Sequence, residues 1–259
     1  MKLKFLGTSS VLGSPVWNCS CPTCTSSNPK NTRKRSSLLV QIGDKNVIVD
    51  CGPDFSSQLR ENGIRKIHCV VVTHAHGDHT NGMEQLSAAE DCLLLAPSDV
   101  WNEFFYSKTV SRAWFEKRNS SGLVLKDFTP FKINNISIDS IKLEHQKDAL
   151  PEITPCYGYL FKSDKSSFAY CSDYNKILEP QKVQNLDLLI SDASGWENDG
   201  RGHVGVKGAI EVFEQFQPKK MLLTHIPHRV EHEKLVKFLK DNEYKNIQPA
   251  FDGMEVELK

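Results

Sequence analysis

Residues 73–79 read Thr-His-Ala-His-Gly-Asp-His, directly after the apolar run Cys69-Val70-Val71-Val72. Few folds accommodate such a junction. An apolar run of this kind reads as a buried strand, and it ends in three histidines and an aspartate. Burying an imidazole is costly unless its nitrogens are satisfied. Neutral imidazole nitrogen and carboxylate oxygen together suit zinc, manganese or iron. Alternate residues of an extended segment share a face, so His74 and His76 are expected to point the same way. Asp78 and His79 follow Gly77, where the chain can turn toward a second ion. One short loop can thus serve two adjacent metals, an arrangement suited to phosphoester hydrolysis.

The surroundings of this loop fit an α/β enzyme. The chain has 259 residues, enough for one large domain, and no linker-like segment divides it. We therefore expect a single domain over 1–259. Thirty-two basic residues balance thirty-two acidic ones, so no global field draws the chain to nucleic acid. The basic run Lys30 to Arg35 reads as a solvated loop. No apolar stretch approaches the ~18 residues of a membrane span. The start, Met1 to Gly7, reads as a first strand rather than a leader. Eight cysteines in such a chain point to thiols or metal ligands, not disulfides, and to a cytoplasmic setting.

Strands are expected at Lys2–Leu6, Ser37–Ile42, Asn46–Asp50 and Cys69–Val72. More follow at roughly 122–126, 136–143, 157–162 and 167–171, then at Leu186–Ser191, Lys220–Thr224 and Glu255–Leu258. Helices are expected at Pro53–Asn62, Thr80–Ala89, Val206–Phe216 and Glu233–Asp241. The aromatic stretch Val100–Arg118 reads as helical core or as a lid. Residues 7–35 carry no period, and an ordered loop that long needs a function or a metal. Two strand-rich halves, each followed by helices, suggest two face-to-face sheets with helices outside.

Further ligand types stand close behind strands: His145 after Ile136–Leu143, Asp173 after Phe168–Ser172 and His225 after Leu222–Thr224. Loops at strand ends are where an α/β fold collects its site residues. Within the first loop, Cys19-x-Cys21-x-x-Cys24 is a compact soft thiolate set suited to zinc, with free thiols the alternative. The remaining cysteines (Cys51, Cys69, Cys92, Cys156, Cys171) lie in or beside apolar runs and read as core.

His-Ala-His-Gly-Asp-His followed by His145, Asp173 and His225 resembles the HxHxDH signature of the metallo-β-lactamase superfamily and the ligands that follow it. The resemblance covers essentially the whole chain and implies an αββα four-layer sandwich. It implies that His74, His76 and His145 hold one divalent ion, that Asp78, His79 and His225 hold another, and that Asp173 bridges them. Mn²⁺ or Zn²⁺ would be the ions. Asp50 matches an aspartate that supports the histidine loop. The cysteine loop from Gly13 to Cys24, Leu223 to His228 and Phe251 to Glu255 look like the phosphoribosyl cyclic phosphate phosphodiesterases of phosphonate breakdown. That likeness implies a structural Zn²⁺ on Cys19, Cys21, Cys24 and His228, with a zinc-binding loop at about 13–35. It also implies catalytic roles for His203, as general acid, and for Asp78. Arg201 would hold a second anionic group. The loop Ala193–Gly200 and the aromatic stretch 101–115 depart from that family, which leaves the substrate less defined than the reaction.

The function these features imply is metal-dependent hydrolysis of a small cyclic phosphate ester. Two other readings stay open. One is a tRNA 3′-processing-type nuclease, which the balanced charge opposes. The other is a protein like the pyrroloquinoline-quinone biosynthesis member of the superfamily, which the Trp17-Asn18-Cys19-x-Cys21 wording also resembles. The expected partner is a small phosphate ester, with no membrane and no nucleic acid, and a homodimer is allowed.

Overall fold

The computed structural model describes residues 1–107, 113, 117, 122–146, 153–198 and 202–259. Its strands are β1 (Lys2–Gly7), β2 (Ser37–Ile42), β3 (Lys45–Val49), β4 (Cys69–Val71), β5 (Leu93–Ala96) and β6 (Val124–Asp127). They continue as β7 (Phe131–Ile133), β8 (Ile136–Gln146), β9 (Ile153–Lys162), β10 (Ser167–Cys171) and β11 (Lys176–Ile177). The last four are β12 (Leu188–Asp192), β13 (Met221–Thr224), β14 (Ile247–Pro249) and β15 (Glu255–Glu257). Among the described residues the α-helices are α1 (Phe55–Glu61), α2 (Gly77–Thr80), α3 (Ser98–Ser107), α4 (Gly205–Phe216) and α5 (His232–Asp241).

The strands form two sheets. One has the order β15-β1-β2-β3-β4-β5-β6; the other has β11-β8-β9-β10-β12-β13-β14, with β7 on β8. The strands split their side chains between two faces, as a period of two requires. Val47 and Val49 of β3 face the space between the sheets, while Ile48 faces outward. Phe168 and Tyr170 of β10 also point between the sheets, and Ala169 and Cys171 point outward. The inner faces meet across Phe5, Val40, Val71, Phe161 and Ile190. Outward residues of the first sheet pack on Phe55, Val100, Trp101 and Phe104 from α1 and α3. Those of the second pack on Val206, Ala209, Leu235 and Leu239 from α4 and α5. Each strand buried on both faces reads as an unbroken apolar run. The result is the expected αββα sandwich. Among the described residues no helix is long and apolar enough to cross a membrane.

Several sequence expectations need correction. Thr80–Ala89 is not one helix: α2 ends at Thr80 and a separate 3₁₀ turn spans Met83–Ala88. His145 lies inside β8, which extends to Gln146 because pairing with β9 continues through His145 and Thr154. Arg33 is buried rather than solvated. Its Nη1 donates to Thr8 Oγ1 and to Ala250 O, each at 2.6 Å, and its Nη2 lies 3.0 Å from His232 Nδ1. In the aromatic stretch, Trp101 and Phe104 are core, whereas Tyr106 is exposed. Trp114, Phe115, Arg201 and the end of the loop at 199–200 lie outside the described residues.

Parallel pairing governs where chemistry collects. β3, β4, β5 and β6 run parallel, as do β10, β12, β13 and β14. The carboxyl ends of β4, β10, β12 and β13 therefore open at one edge of the sandwich. This is the crevice where α/β sheets bind ligands.

Candidate metal centre and its surroundings

β4 delivers His74 and His76, and α2 turns the chain so that Asp78 and His79 face back. The turn is held from below by Gly52: a Cβ there would stand 1.9 Å from Asp78 O, so only glycine lets the two segments meet. Cys51 N donates to His79 O and Gly82 N to Cys51 O, at 2.9 and 2.8 Å.

The seven active-site candidates gather into two groups. The donor atoms of His74, His76 and His145 lie within 4.8 Å of one another, and so do those of Asp78, His79, Asp173 and His225. Asp173 sits between them. Its Oδ2 is 3.2 Å from His225 Nε2 and 3.9 Å from His74 Nε2, and its Oδ1 is 3.4 Å from His79 Nε2.

Outer hydrogen bonds set the tautomer of three of these rings. His79 Nδ1 donates to Asp50 Oδ2 at 2.7 Å. The Asp50 carboxylate also accepts from Thr73 N at 2.8 Å and from Thr73 Oγ1 at 3.0 Å. The Thr73 hydroxyl has one proton, which it gives to Asp50, so it must accept from His74 Nδ1 at 2.9 Å. His145 Nδ1 donates to Gly202 O at 2.9 Å. In these three rings Nδ1 carries the hydrogen and Nε2 keeps its lone pair for the site, the usual outer support of metal-binding imidazoles. Asp50 and His225 both take left-handed backbone, φ 63° and 55°. Strain of that kind clusters where side chains must be aimed.

The donor set fits divalent cations. His74 Nε2, His79 Nε2 and Asp173 Oδ1 are buried with no hydrogen-bond partner, a costly state for lone pairs with nothing to coordinate. Burial holds His74 well below its usual pKa and His145 near about 4, so both rings are neutral, as metal binding requires. Burial opposes ionisation of Asp173 and Asp78, but the neighbouring His225 and His79 rings prevail and hold both well below the carboxylate range. Against burial, these carboxylates raise His225 to about 10 and hold His79 well above its ordinary value. Two buried carboxylates therefore demand positive charge at this point.

A second cluster stands on the first loop. The Sγ atoms of Cys19, Cys21 and Cys24 each lie 3.5 Å from His228 Nδ1. Val16 N donates to Cys24 Sγ at 3.2 Å, as amides do to thiolates. Burial and the neighbouring sulfurs push Cys24 up to about 11. Three thiolates this close need a cation to ionise together, and Cys₃His is a closed tetrahedral zinc set. The other five cysteines are buried.

His203 lies on the same cleft as the histidine groups. Its Nδ1 donates to Asp192 Oδ2 at 2.8 Å, and its ring stacks on His225 at 5.2 Å and 15°. Burial disfavours its charged form, but Asp192 outweighs burial and raises its pKa. Asp192 is absent from the sequence-based site. Its signal was available: like Asp173, it is an acid closing a buried strand. Its other oxygen accepts from Ser194 N at 3.0 Å and lies 3.6 Å from His225 Nδ1. Gly202 was also missed; at φ +110°, it brings its carbonyl to His145, where a Cβ would stand 2.8 Å from Nδ1.

Residues 45–226 match the family model described as the beta-lactamase superfamily domain. A solved structure of a diphosphatase from the PhnP family superposes with a TM-score of 0.84 at 25% identity, covering 100% of this chain and 98% of the other. Coenzyme PQQ synthesis protein B of Pseudomonas savastanoi pv. phaseolicola is 26% identical over the full length of both chains. An octanoyltransferase of Porphyromonas gingivalis is 24% identical over 98% of this chain, which spans only 51% of that protein. The family match covers most of the chain, and it runs from β3 through His225. The chain thus belongs to the beta-lactamase superfamily and is a metal-dependent hydrolase with that superfamily's αββα fold.

Proposed function

We propose that the chain is a binuclear phosphodiesterase acting on a small phosphate ester, with a cyclic phosphate as the leading substrate. The observation that carries this reading is the Asp173 carboxylate, set between the two histidine groups. His74, His76 and His145 would hold one ion, Asp78, His79 and His225 the other, and Asp173 both. Cys19, Cys21, Cys24 and His228 would hold a structural zinc. Bound ions supply Lewis acidity, which acidifies water and neutralises phosphate charge.

The chain's own contribution is geometry and a proton. Asp50, Thr73 and Gly202 fix the ring tautomers, so no reorganisation is needed when substrate arrives. His203 is held at Nδ1 by Asp192, which leaves Nε2 to give its proton to the departing alkoxide oxygen. Asp192 favours the imidazolium before transfer and the correct tautomer after it. The likeness to the diphosphatase supports a phosphate substrate. Substituting Asp173→Ala should abolish turnover and reduce the exchangeable metal content. Full activity in that variant would end the binuclear scheme.

The full-length similarity to coenzyme PQQ synthesis protein B favours a second reading, handling of a cofactor precursor. Oxygen uptake coupled to product, with no phosphodiester cleavage under any metal, would put that reading first.

A further inference from the structure

Val11 and Leu12 are large apolar side chains that are 58% and 55% exposed, and both line the cleft containing His76, His145 and His203. A lone exposed leucine needs no explanation. This pair does, for three reasons.

They occupy the two corners of a turn closed by Gly13 N on Ser10 O at 3.0 Å. Such corners favour glycine, proline, asparagine, aspartate or serine, and neither residue is of that type. The turn is also held rigidly. Ser9 N donates to Lys34 O at 2.8 Å, and Ser14 and Arg33 exchange backbone bonds at 2.9 and 2.8 Å. Arg35 Nε donates to Val11 O at 3.0 Å, and the same guanidinium contacts both oxygens of Asp54 at 3.3 Å. Finally, the cleft measures about 770 Å³, far more than a phosphate group fills. Pro53 and Pro227 also line it, together with Arg35, Arg229, and the histidines and acids of the two groups. Ligand sites commonly combine apolar walls with a few placed polar groups.

We propose that Val11 and Leu12 are specificity-determining residues. They form a preorganised apolar wall that receives an uncharged ring or hydrocarbon group of the substrate while its phosphate meets the polar groups of the cleft. The substrate class is therefore a phosphate ester bearing a bulky apolar substituent, not a compact sugar phosphate. As a statement about substrate this rests on the phosphodiesterase reading; as a statement about the wall it does not.

Two measurements on the metal-loaded protein separate these. The first is calorimetric affinity for phenylphosphonate and for methylphosphonate, which are not hydrolysed. Phenylphosphonate should bind about tenfold tighter, and the double variant Val11→Ser, Leu12→Ser should lose most of that preference. The second compares bis(p-nitrophenyl) phosphate with methyl p-nitrophenyl phosphate, which release the same leaving group. The kcat/KM ratio of the first to the second should fall about tenfold in the double variant. Equal affinities in the original protein, no affinity for either probe, or a phenyl preference that survives the double substitution would overturn the wall. A phenyl preference lost on substitution, with neither diester hydrolysed, would keep the wall and end the phosphodiesterase reading.

Discussion

The Asp50 carboxylate accepts a 2.7 Å hydrogen bond from His79 Nδ1, and solvent reaches neither side chain. Through this bond a residue outside the two histidine groups decides which nitrogen of His79 faces the site. Asp50→Asn removes the charge that favours the Nδ1–H tautomer. We predict a 10- to 100-fold loss of affinity for the more weakly held active-site ion, read by metal titration. Unchanged affinity would show that Asp50 serves the fold alone.

His203 tests proton donation. A departing alkoxide needs a proton, whereas p-nitrophenolate leaves readily without one. His203→Ala should lower kcat by about 10²- to 10⁴-fold for an alkyl phosphodiester and much less for a p-nitrophenyl ester. Equal losses for both would reassign His203 to binding. Asp192→Asn should show the same leaving-group bias with a smaller amplitude, because Asp192 acts through His203.

The cysteine cluster ties the first loop to the segment that carries His225. Ile226 N donates to Thr8 O at 2.8 Å, and His228 follows two residues later. Cys24→Ser should lower the tightly held zinc content by one ion. It should also cost at least about 2 kcal/mol of stability, a fall in Tm of roughly 4–8 °C. An unaltered zinc content would leave the cluster as free thiols.

Asp252 gives a stability prediction away from the candidate metal centre. Burial raises its carboxyl from the ordinary 3.8 to about 6, despite hydrogen bonds from Lys34 N and Thr8 Oγ1. Between about pH 4 and 6 the native state holds a proton that the unfolded chain has released. The stability this proton brings is complete below pH 4 and is lost as pH rises through 6. Asp252→Asn carries no such dependence. Its stability relative to the original protein should therefore rise by about 3 kcal/mol between pH 4 and pH 7. Denaturant unfolding at both pH values checks this, and a difference that stays constant or falls would refute it.

Much of this arrangement was legible in the residue order. The inward and outward split of β3 and β10 follows from period-two burial, and the Thr73–His79 loop announced itself by chemistry. What was illegible depends on long-range pairing. Glu144-His145-Gln146 reads as a polar strand end, but β9 prolongs β8 through it. The run Leu93–Ala96 became a strand only because β4 and β6 flank it. A short apolar run alone does not distinguish helix from strand. Arg33 looked like one charge in a basic loop. Its burial depends on Thr8 and on the Ala250 carbonyl, more than two hundred residues away along the chain. Asp192 could have been found by the rule that found Asp173.

The proposed function requires a pair of exchangeable ions, bridged by Asp173, that act on a phosphodiester. The most direct measurement is turnover resolved by metal content. The purified protein is stripped, reloaded stepwise with Mn²⁺ or Zn²⁺, and assayed on cyclic phosphates and linear phosphodiesters. We predict one zinc that resists stripping, and cyclic phosphate hydrolysis that rises to its maximum only as two further ions bind. Full activity with a single exchangeable ion would contradict the bridged pair, and two bound ions with no phosphodiester cleavage would contradict the function.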